Sequence, residues 1–446
     1  MLSSVDMPRP GLGALSRLAA LAPALRTCER VGTVSAVVGL TIEVAGLNSL
    51  VGEEIVIEDG GRGAIPCQVV GFRGGRAIAM PFGELAGVAA GSRVVATGAP
   101  TCVTVGPGLL GRVVDGLGRQ LDDGPAIRGA RIPVAGRGAT AHPLKRQPVV
   151  TPLVTGVRVL DGLLTCGRGQ RLGVFAGSGV GKSTFLGMVA RNSASDINVI
   201  VLVGERGREV GEFLTHNLGP EGLRRSVVVV ATSDQPALVR LNAAWTGAAI
   251  AEYFRDTGRN VLFMMDSVTR FAMAQREVGL AAGEPPATRG YTPSVFALLP
   301  LLLERSGAGE RGTITGFYTV LVEGDDLNEP ITDAVRGILD GHIVLSRDLA
   351  GSGHYPAVDV LSSVSRLMPA LTTPEHRARA ARLRTLMAAH RSAKDLIEIG
   401  AYVAGSNPDV DAAVARLSYI EAFLRQATDE VTTWPDTSLG LEALTR

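Results

Sequence analysis

The spacing of apolar positions changes several times along this chain, and each change marks a segment. In residues 1–28, Leu12, Leu15, Leu18 and Leu21 recur at helical spacing, with Arg17 and Arg26 on other faces. That pattern predicts either a docking helix for a partner or a membrane surface, or a plain packed helix. Across residues 29–97, valine-rich stretches such as 32–38 and 54–57 are broken by turns at Asp59-Gly60-Gly61 and Arg73-Gly74-Gly75. Short strands with frequent turns predict a small β-barrel. Residues 98–150 are rich in glycine and proline and read as a bridge. Up to residue 370, apolar runs alternate with helical stretches, the strand candidates being 171–175, 198–203, 226–231, 260–265 and 313–322. These runs are short, β-branched and apolar throughout, as expected of a parallel sheet covered on both faces. The expected fold class is therefore α/β, with a core across 98–370.

Residues 371–446 read as helices. Thr373-Pro374 and Asn407-Pro408 each place a capping residue before a proline at the first helical position. Leu383, Leu386, Met387, His390 and Ile397 form one expected face; Val410, Val414, Leu417, Ile420 and Leu424 form the next.

Composition narrows the function classes. The 446 residues, 46% of them hydrophobic, suffice for two or three domains with sizeable cores. A formal net charge of +1 favours neither nucleic acid nor an anionic membrane. The cysteines Cys28, Cys67, Cys102 and Cys166 form no C-x-x-C pair, which suggests a reduced, cytosolic chain, and the scattered histidines argue against a zinc site. No signal peptide and no membrane-spanning run is expected, leaving a soluble protein, at most attached to a membrane surface.

The sharpest local signal is Phe175-Ala176-Gly177-Ser178-Gly179-Val180-Gly181-Lys182-Ser183-Thr184. A glycine-rich loop between an apolar run and a helical run makes a nest of backbone N–H groups for a nucleotide triphosphate. Ala176 stands where such loops usually begin with glycine, and it is small enough to keep the backbone accessible. Gly177, Ser178, Gly179, Val180, Gly181 and Thr184 would cradle ATP. Lys182 would reach the β- and γ-phosphates, and Ser183 would give its hydroxyl oxygen to Mg²⁺. Only Lys145, Lys182 and Lys394 are lysines in this arginine-rich chain, and arginine is too broad for the loop position. Asp266 ends an apolar strand and is the second candidate Mg²⁺ ligand, although aspartate at a strand end is also a common turn starter. Glu205 follows the strand ending at Val203-Gly204, where ligands sit in open α/β sheets, and could polarise the attacking water. It also lies in a charged run, Glu205-Arg206-Gly207-Arg208-Glu209, that could simply be solvated.

At this point the motifs become long enough to be specific. Gly204-Glu205-Arg206-Gly207-Arg208-Glu209 resembles the catalytic-glutamate motif of the rotary ATP synthase and type III secretion ATPase superfamily. The same resemblance extends to Asp266-Ser267-Val268-Thr269-Arg270-Phe271, Asp340-Gly341-His342 and Tyr355-Pro356-Ala357-Val358-Asp359, and covers residues 30 to 425. Gly290-Tyr291-Thr292-Pro293-Ser294-Val295-Phe296 and Val322-Glu323-Gly324-Asp325-Asp326 look like the protein-export branch. Phe296-Ala297-Leu298-Leu299-Pro300 looks more flagellar than injectisome-like.

The resemblance implies a P-loop, RecA-like core between the barrel and a helical C-terminal domain. It implies Glu205 as the base, Arg206 at the γ-phosphate, Tyr355 stacked on adenine, and Arg366 as a finger reaching a neighbour's site. Read alone, Arg366 is an ordinary surface arginine and Tyr355 a core tyrosine. Ala401 stands where ATP synthase β subunits carry a second adenine-facing aromatic, so that contact is left unassigned. A site completed in trans implies a homohexamer. The resemblance further implies a regulatory, stator-like protein on the N-terminal arm and a coiled-coil stalk at a central pore touched by Asp325, Asp326, Asn328 and Glu329. Export chaperones with their cargo, peripheral contact with a membrane export gate and no nucleic acid complete the expected partners. Flagellar protein export is the expected work. A virulence injectisome ATPase, a rotary ATP synthase subunit and an RNA-translocating terminator ATPase remain alternatives.

Overall fold

Alternation of inward and outward side chains near the N-terminus builds a closed barrel. The computed structural model describes residues 29–59, 63–134, 144, 146–322, 324, 326 and 328–445. The chain divides into two units, Met1–Gly98 and Ala99–Arg446. The arm expected over 1–28 and the turn at Gly60-Gly61 lie outside the described residues.

In the first unit, β1 (Val31–Val38), β2 (Thr41–Ala45), β3 (Glu53–Asp59), β4 (Gly63–Arg73), β5 (Arg76–Pro81) and β6 (Arg93–Pro100) close in the order β1-β2-β5-β4-β3-β6. Their inward positions, among them Val34, Ile42, Val44, Ile55, Ile57, Val69 and Val94, make one apolar core. Gly74 and Gly75 both have positive φ, 55° and 75°, which is what a two-residue hairpin turn between β4 and β5 requires.

The second unit is organised by a nine-stranded sheet. Its order is β17 (Val358–Ser365), β16 (Gly341–Leu345), β10 (Arg171–Ala176), β15 (Thr313–Leu321), β13 (Asn260–Asp266), β11 (Ile197–Val203), β12 (Ser226–Ala231) and β8 (Val113–Asp115), with β14 (Gly307–Ala308) paired beside β15. A separate ribbon pairs β7 (Cys102–Val105) with β9 (Ala130–Pro133). Every residue of β11 and β12 is buried, because helices cover both faces. The helices used below are α1 (Arg158–Leu163), α2 (Lys182–Asn192), α3 (Gly207–Glu212), α4 (Ala237–Asp256), α5 (Val268–Ala282), α6 (Pro293–Leu303), α7 (Pro374–Glu398), α8 (Pro408–Leu424) and α9 (Trp434–Thr445).

All five expected core strands are present. The other four strands of this sheet, β8, β14, β16 and β17, were not legible as strands. β8 lies in the stretch read as a bridge; it is only three residues long, too short to show alternation, and joins the sheet edge through Val113 opposite Val228. β16 and β17 form the opposite, antiparallel edge. Their half-buried positions carry histidine and serine, which hid the apolar signal.

The C-terminal helices start where the sequence places them. The Thr373 hydroxyl accepts from the His376 N–H at 3.3 Å, and the Asn407 amide oxygen accepts from Asp409 at 3.0 Å. The buried face of α8 is rotated from the expected stripe. Val414 is 45% exposed, while Ala413 and Phe423 turn inward with Val410, Ile420 and Leu424. The small Ala413, and not the larger Val414, thus belongs to the core cluster.

A buried ion pair ties the helices on one face. Arg305, just beyond α6, donates to Glu252 of α4 at 2.8 Å and to the Val134 carbonyl at 3.0 Å. Its guanidinium lies 5.8 Å from the Trp245 ring centroid.

Candidate functional site

The glycine-rich loop is the turn from β10 into α2. Gly179 and Gly181 hold φ of 80° and 87°, a region where a side chain is strained. Val180 is buried between them and anchors the loop. Gly181 stands at the N-cap of α2 with no side chain capping the helix, so its first N–H groups remain open to an anion. Lys182 and Ser183 open that helix and Thr184 follows; Gly177 and Ser178 lead out of β10.

Parallel pairing brings the other charged residues to the same end. β13 delivers Asp266, and the neighbouring β11 leads through Gly204 to Glu205. The Lys182 ammonium donates to Asp266 Oδ1 and stands 3.4 Å from Glu205 Oε1. Thr319 of β15 donates its hydroxyl to the same Asp266 oxygen at 2.7 Å. Ser183, Glu205, Glu209 and Asp266 line one cleft with Leu202, Val210 and Phe213.

Burial shapes the protonation of this cluster. For Lys182, burial works against the ammonium, but Asp266 and Glu205 outweigh it and the pKa is raised. Burial and the adjacent Asp266 carboxylate push Glu205 up to about 7, against the pull of Lys182. Its hydrogen bond with Glu209 works the other way on that partner, whose pKa is lowered. Glu205 is thus poised to exchange a proton near neutrality, as a base must be.

Arg206 is exposed at the start of α3, where its N–H donates to Glu209 Oε2 at 3.4 Å. Arg270 was not singled out from sequence. Its side chain lies along Gly204, where an added Cβ would meet its Cβ at 3.1 Å, and its buried Nε has no hydrogen-bond partner. An orphaned, buried guanidinium nitrogen on a side chain that packs along Gly204 is a candidate to meet an anion. The sequence signal was its place four residues after Asp266, one helical turn into α5. Tyr355 is 45% exposed, and its ring lies against the loop: an ideal Cβ on Gly181 would stand 3.3 Å from Cε1.

Arg366 is not brought to this cluster. It follows β17 and its N–H donates to the Asp340 carbonyl at 3.0 Å, beside the start of β10. The phosphate loop follows the other end of that strand, roughly 20 Å away at about 3.3 Å per residue. Asp326 pairs with Arg289 at 3.3 Å, whereas Asp325 lies outside the described residues. Among the described residues no group of three or more His, Cys, Asp or Glu could hold a metal by itself. One carboxylate and one hydroxyl at the phosphate loop instead fit Mg²⁺ whose remaining ligands are phosphate oxygens and water.

Comparison with known proteins places the fold in a family. Residues 156–365 match the nucleotide-binding domain of the ATP synthase alpha/beta family, and residues 372–443 match the T3SS EscN ATPase C-terminal domain. A flagellum-specific ATP synthase of Bacillus subtilis (strain 168) is 54% identical over 419 residues, covering 94% of this chain and 95% of that one. A type 3 secretion system ATPase of Xanthomonas euvesicatoria is 51% identical over 420 residues, covering 94% of each. The assembled ATPase EscN in complex with its central stalk EscO, from the enteropathogenic E. coli type III secretion system, superposes with a TM-score of 0.86 at 42% identity. That match covers 93% of this chain and 100% of the EscN chain. No helix among the described residues is long and apolar enough to cross a membrane.

Proposed function

Because this chain belongs to the ATP synthase alpha/beta family, in its secretion-ATPase branch, we propose that it hydrolyses ATP to energise flagellar protein export. The observation that carries this reading is the convergence of Lys182, Glu205 and Asp266 at the open N-terminus of α2.

Phosphoryl transfer needs positioning and neutralised charge more than covalent chemistry. The open N–H groups from Gly177 to Thr184 would hold the triphosphate. Lys182 would exchange its carboxylate partners for β- and γ-phosphate oxygens, which frees Asp266 and Glu205 for their roles. Ser183 and Asp266 would hold Mg²⁺, which supplies charge neutralisation across the phosphates. Glu205, poised near neutrality, would orient water and accept its proton. Arg206 and Arg270 would bring positive charge to the γ-phosphate side. Tyr355, packed beside the loop, would stack on the base.

Arg366 lies at the far end of the strands from its own loop. A finger there can serve only another copy, and this supports a homohexameric ring closed by identical interfaces. In that assembly a coiled-coil stalk would occupy the pore near Asp326, Asn328 and Glu329. Chaperones and cargo would be released toward a membrane export gate, with the ring on its cytoplasmic side and the 1–28 arm binding a regulator. The segment boundaries at 28, 97 and 370 are proposed as its functional divisions.

The test is direct. Lys182→Ala in the native gene should abolish ATP turnover of the purified protein and strongly impair filament growth. Normal filaments with an inactive enzyme would overturn the flagellar role. The 51% identity to a type 3 secretion ATPase favours injectisome secretion as the second reading. Normal motility with lost effector secretion would select it.

A further inference from the structure

The geometry points to Gln426 as a positioning residue that sets Tyr355 for the nucleotide base and ties the C-terminal helices to the ATP site. This inference rests on the reading of Tyr355 as a base contact.

Gln426 lies two residues beyond α8 and is 5% exposed. Its backbone N–H donates to the Tyr355 carbonyl at 2.9 Å. Its side-chain amide is used from both ends. Nε2 donates to the Gly156 carbonyl at 2.8 Å and to the Glu430 carbonyl at 2.9 Å. Oε1 accepts from the Arg158 N–H at 2.8 Å. Two carbonyls face one nitrogen and one N–H faces the oxygen, a pattern that an amide matches and a carboxylate or thioether cannot.

The anchors are themselves fixed against the far, C-terminal end of the helix that the phosphate loop opens. Gly156 has φ of 71° and sits so close to α2 that an added Cβ would stand 2.6 Å from the Asn192 Cβ. Arg158 donates from Nε to the Phe423 carbonyl at 2.9 Å and pairs with Glu430. Next door, Arg425 Nε lies 3.4 Å from His354 Nδ1. Residues 425–426 thus grip 354–355 from the C-terminal side, while the Tyr355 ring rests against Gly181 on the other. The side-chain amide fixes residue 426, whose backbone N–H in turn holds the Tyr355 carbonyl, so a movement of α8 would reach the tyrosine along this path. A buried amide that served folding alone would affect stability without discriminating between ligands with and without a base.

The full-length protein is assayed with Gln426→Met, which keeps the volume and removes the three side-chain hydrogen bonds. KM for ATP should rise about three- to tenfold with kcat within about twofold, and inhibition by inorganic tripolyphosphate should stay unchanged. In a Tyr355→Ala background the same change should add nothing. An equal loss in that background, or an equal weakening of tripolyphosphate, would overturn the proposal. If Tyr355→Ala raises KM while Gln426→Met leaves it normal, the positioning role alone fails. If Tyr355→Ala leaves KM unchanged, the base contact itself fails. Hydrogen exchange on the wild-type chain needs no variant to fold. ADP should slow exchange at residues 425–427 more than tripolyphosphate does, and equal slowing would overturn the inference.

Discussion

Thr319 donates its hydroxyl to Asp266 Oδ1 across 2.7 Å, from the strand beside the one that carries the aspartate. The threonine is fully buried, so this bond has no water to replace it. It fixes one carboxylate oxygen, the same one that the Lys182 ammonium reaches. Thr319→Val keeps shape and removes the donor. The Mg²⁺ concentration for half-maximal ATPase activity should rise about tenfold or more, the range expected for partners that orient a metal ligand. A metal titration of turnover checks this, and an unchanged midpoint would remove Thr319 from the site.

Glu205→Gln should abolish turnover while ATP still binds within about threefold, measured by calorimetry or filter binding. The wild-type pH profile follows from the raised pKa of about 7. Below that value the carboxyl is protonated and cannot accept a proton from water. The logarithm of kcat/KM should therefore climb with a slope of about one up to pH 7 and level off above it. A flat profile from pH 6 to 8 would count against Glu205 as the base.

Arg305→Met should destabilise the protein by about 3–5 kcal/mol, because Glu252 is left charged in a buried place. Urea denaturation reads the change. The double variant Arg305→Met, Glu252→Met should recover much of the loss, since both charges then leave the interior together. A double variant no more stable than the single one would show that packing against Trp245, and not the unpaired charge, sets the effect.

Much of this molecule was legible because its signals are local. A phosphate loop advertises itself by glycines that must adopt positive φ and by one lysine, all within ten residues. Strands buried on both faces read as apolar runs, which is why β11, β12 and β13 were evident. What stayed hidden depends on pairing across the chain. β16 and β17 are half-buried edge strands whose polar residues conceal them. β8 owes its existence to a neighbour more than a hundred residues away. Thr319 reaches Asp266, and Arg270 packs along Gly204, only because β11, β13 and β15 lie side by side. Gln426 carries no motif at all; its role comes from three carbonyls and one N–H that folding gathers around it.

Arg366 and Lys182 should complement each other between copies. Lys182→Ala chains retain the finger and lack the cradle; Arg366→Ala chains have the reverse. Each should be inactive alone, and mixed assemblies should regain a measurable fraction of turnover at junctions where an intact cradle meets an intact finger. ATPase assays on verified mixed rings decide this, and no recovery would argue that the finger does not act in trans.

With Arg366 at the opposite strand end from the phosphate loop, the proposed finger role would give each subunit a giving flank and a receiving flank. Such head-to-tail contacts have no dyad. A pair of copies would then leave one pocket unfinished and one guanidinium idle, and a string of any length would do the same at its ends. Only closure removes the defect. Specific activity per chain should therefore climb steeply with concentration, and a small dose of fingerless chains should silence more pockets than their own number would suggest wherever neighbouring pockets must fire in turn.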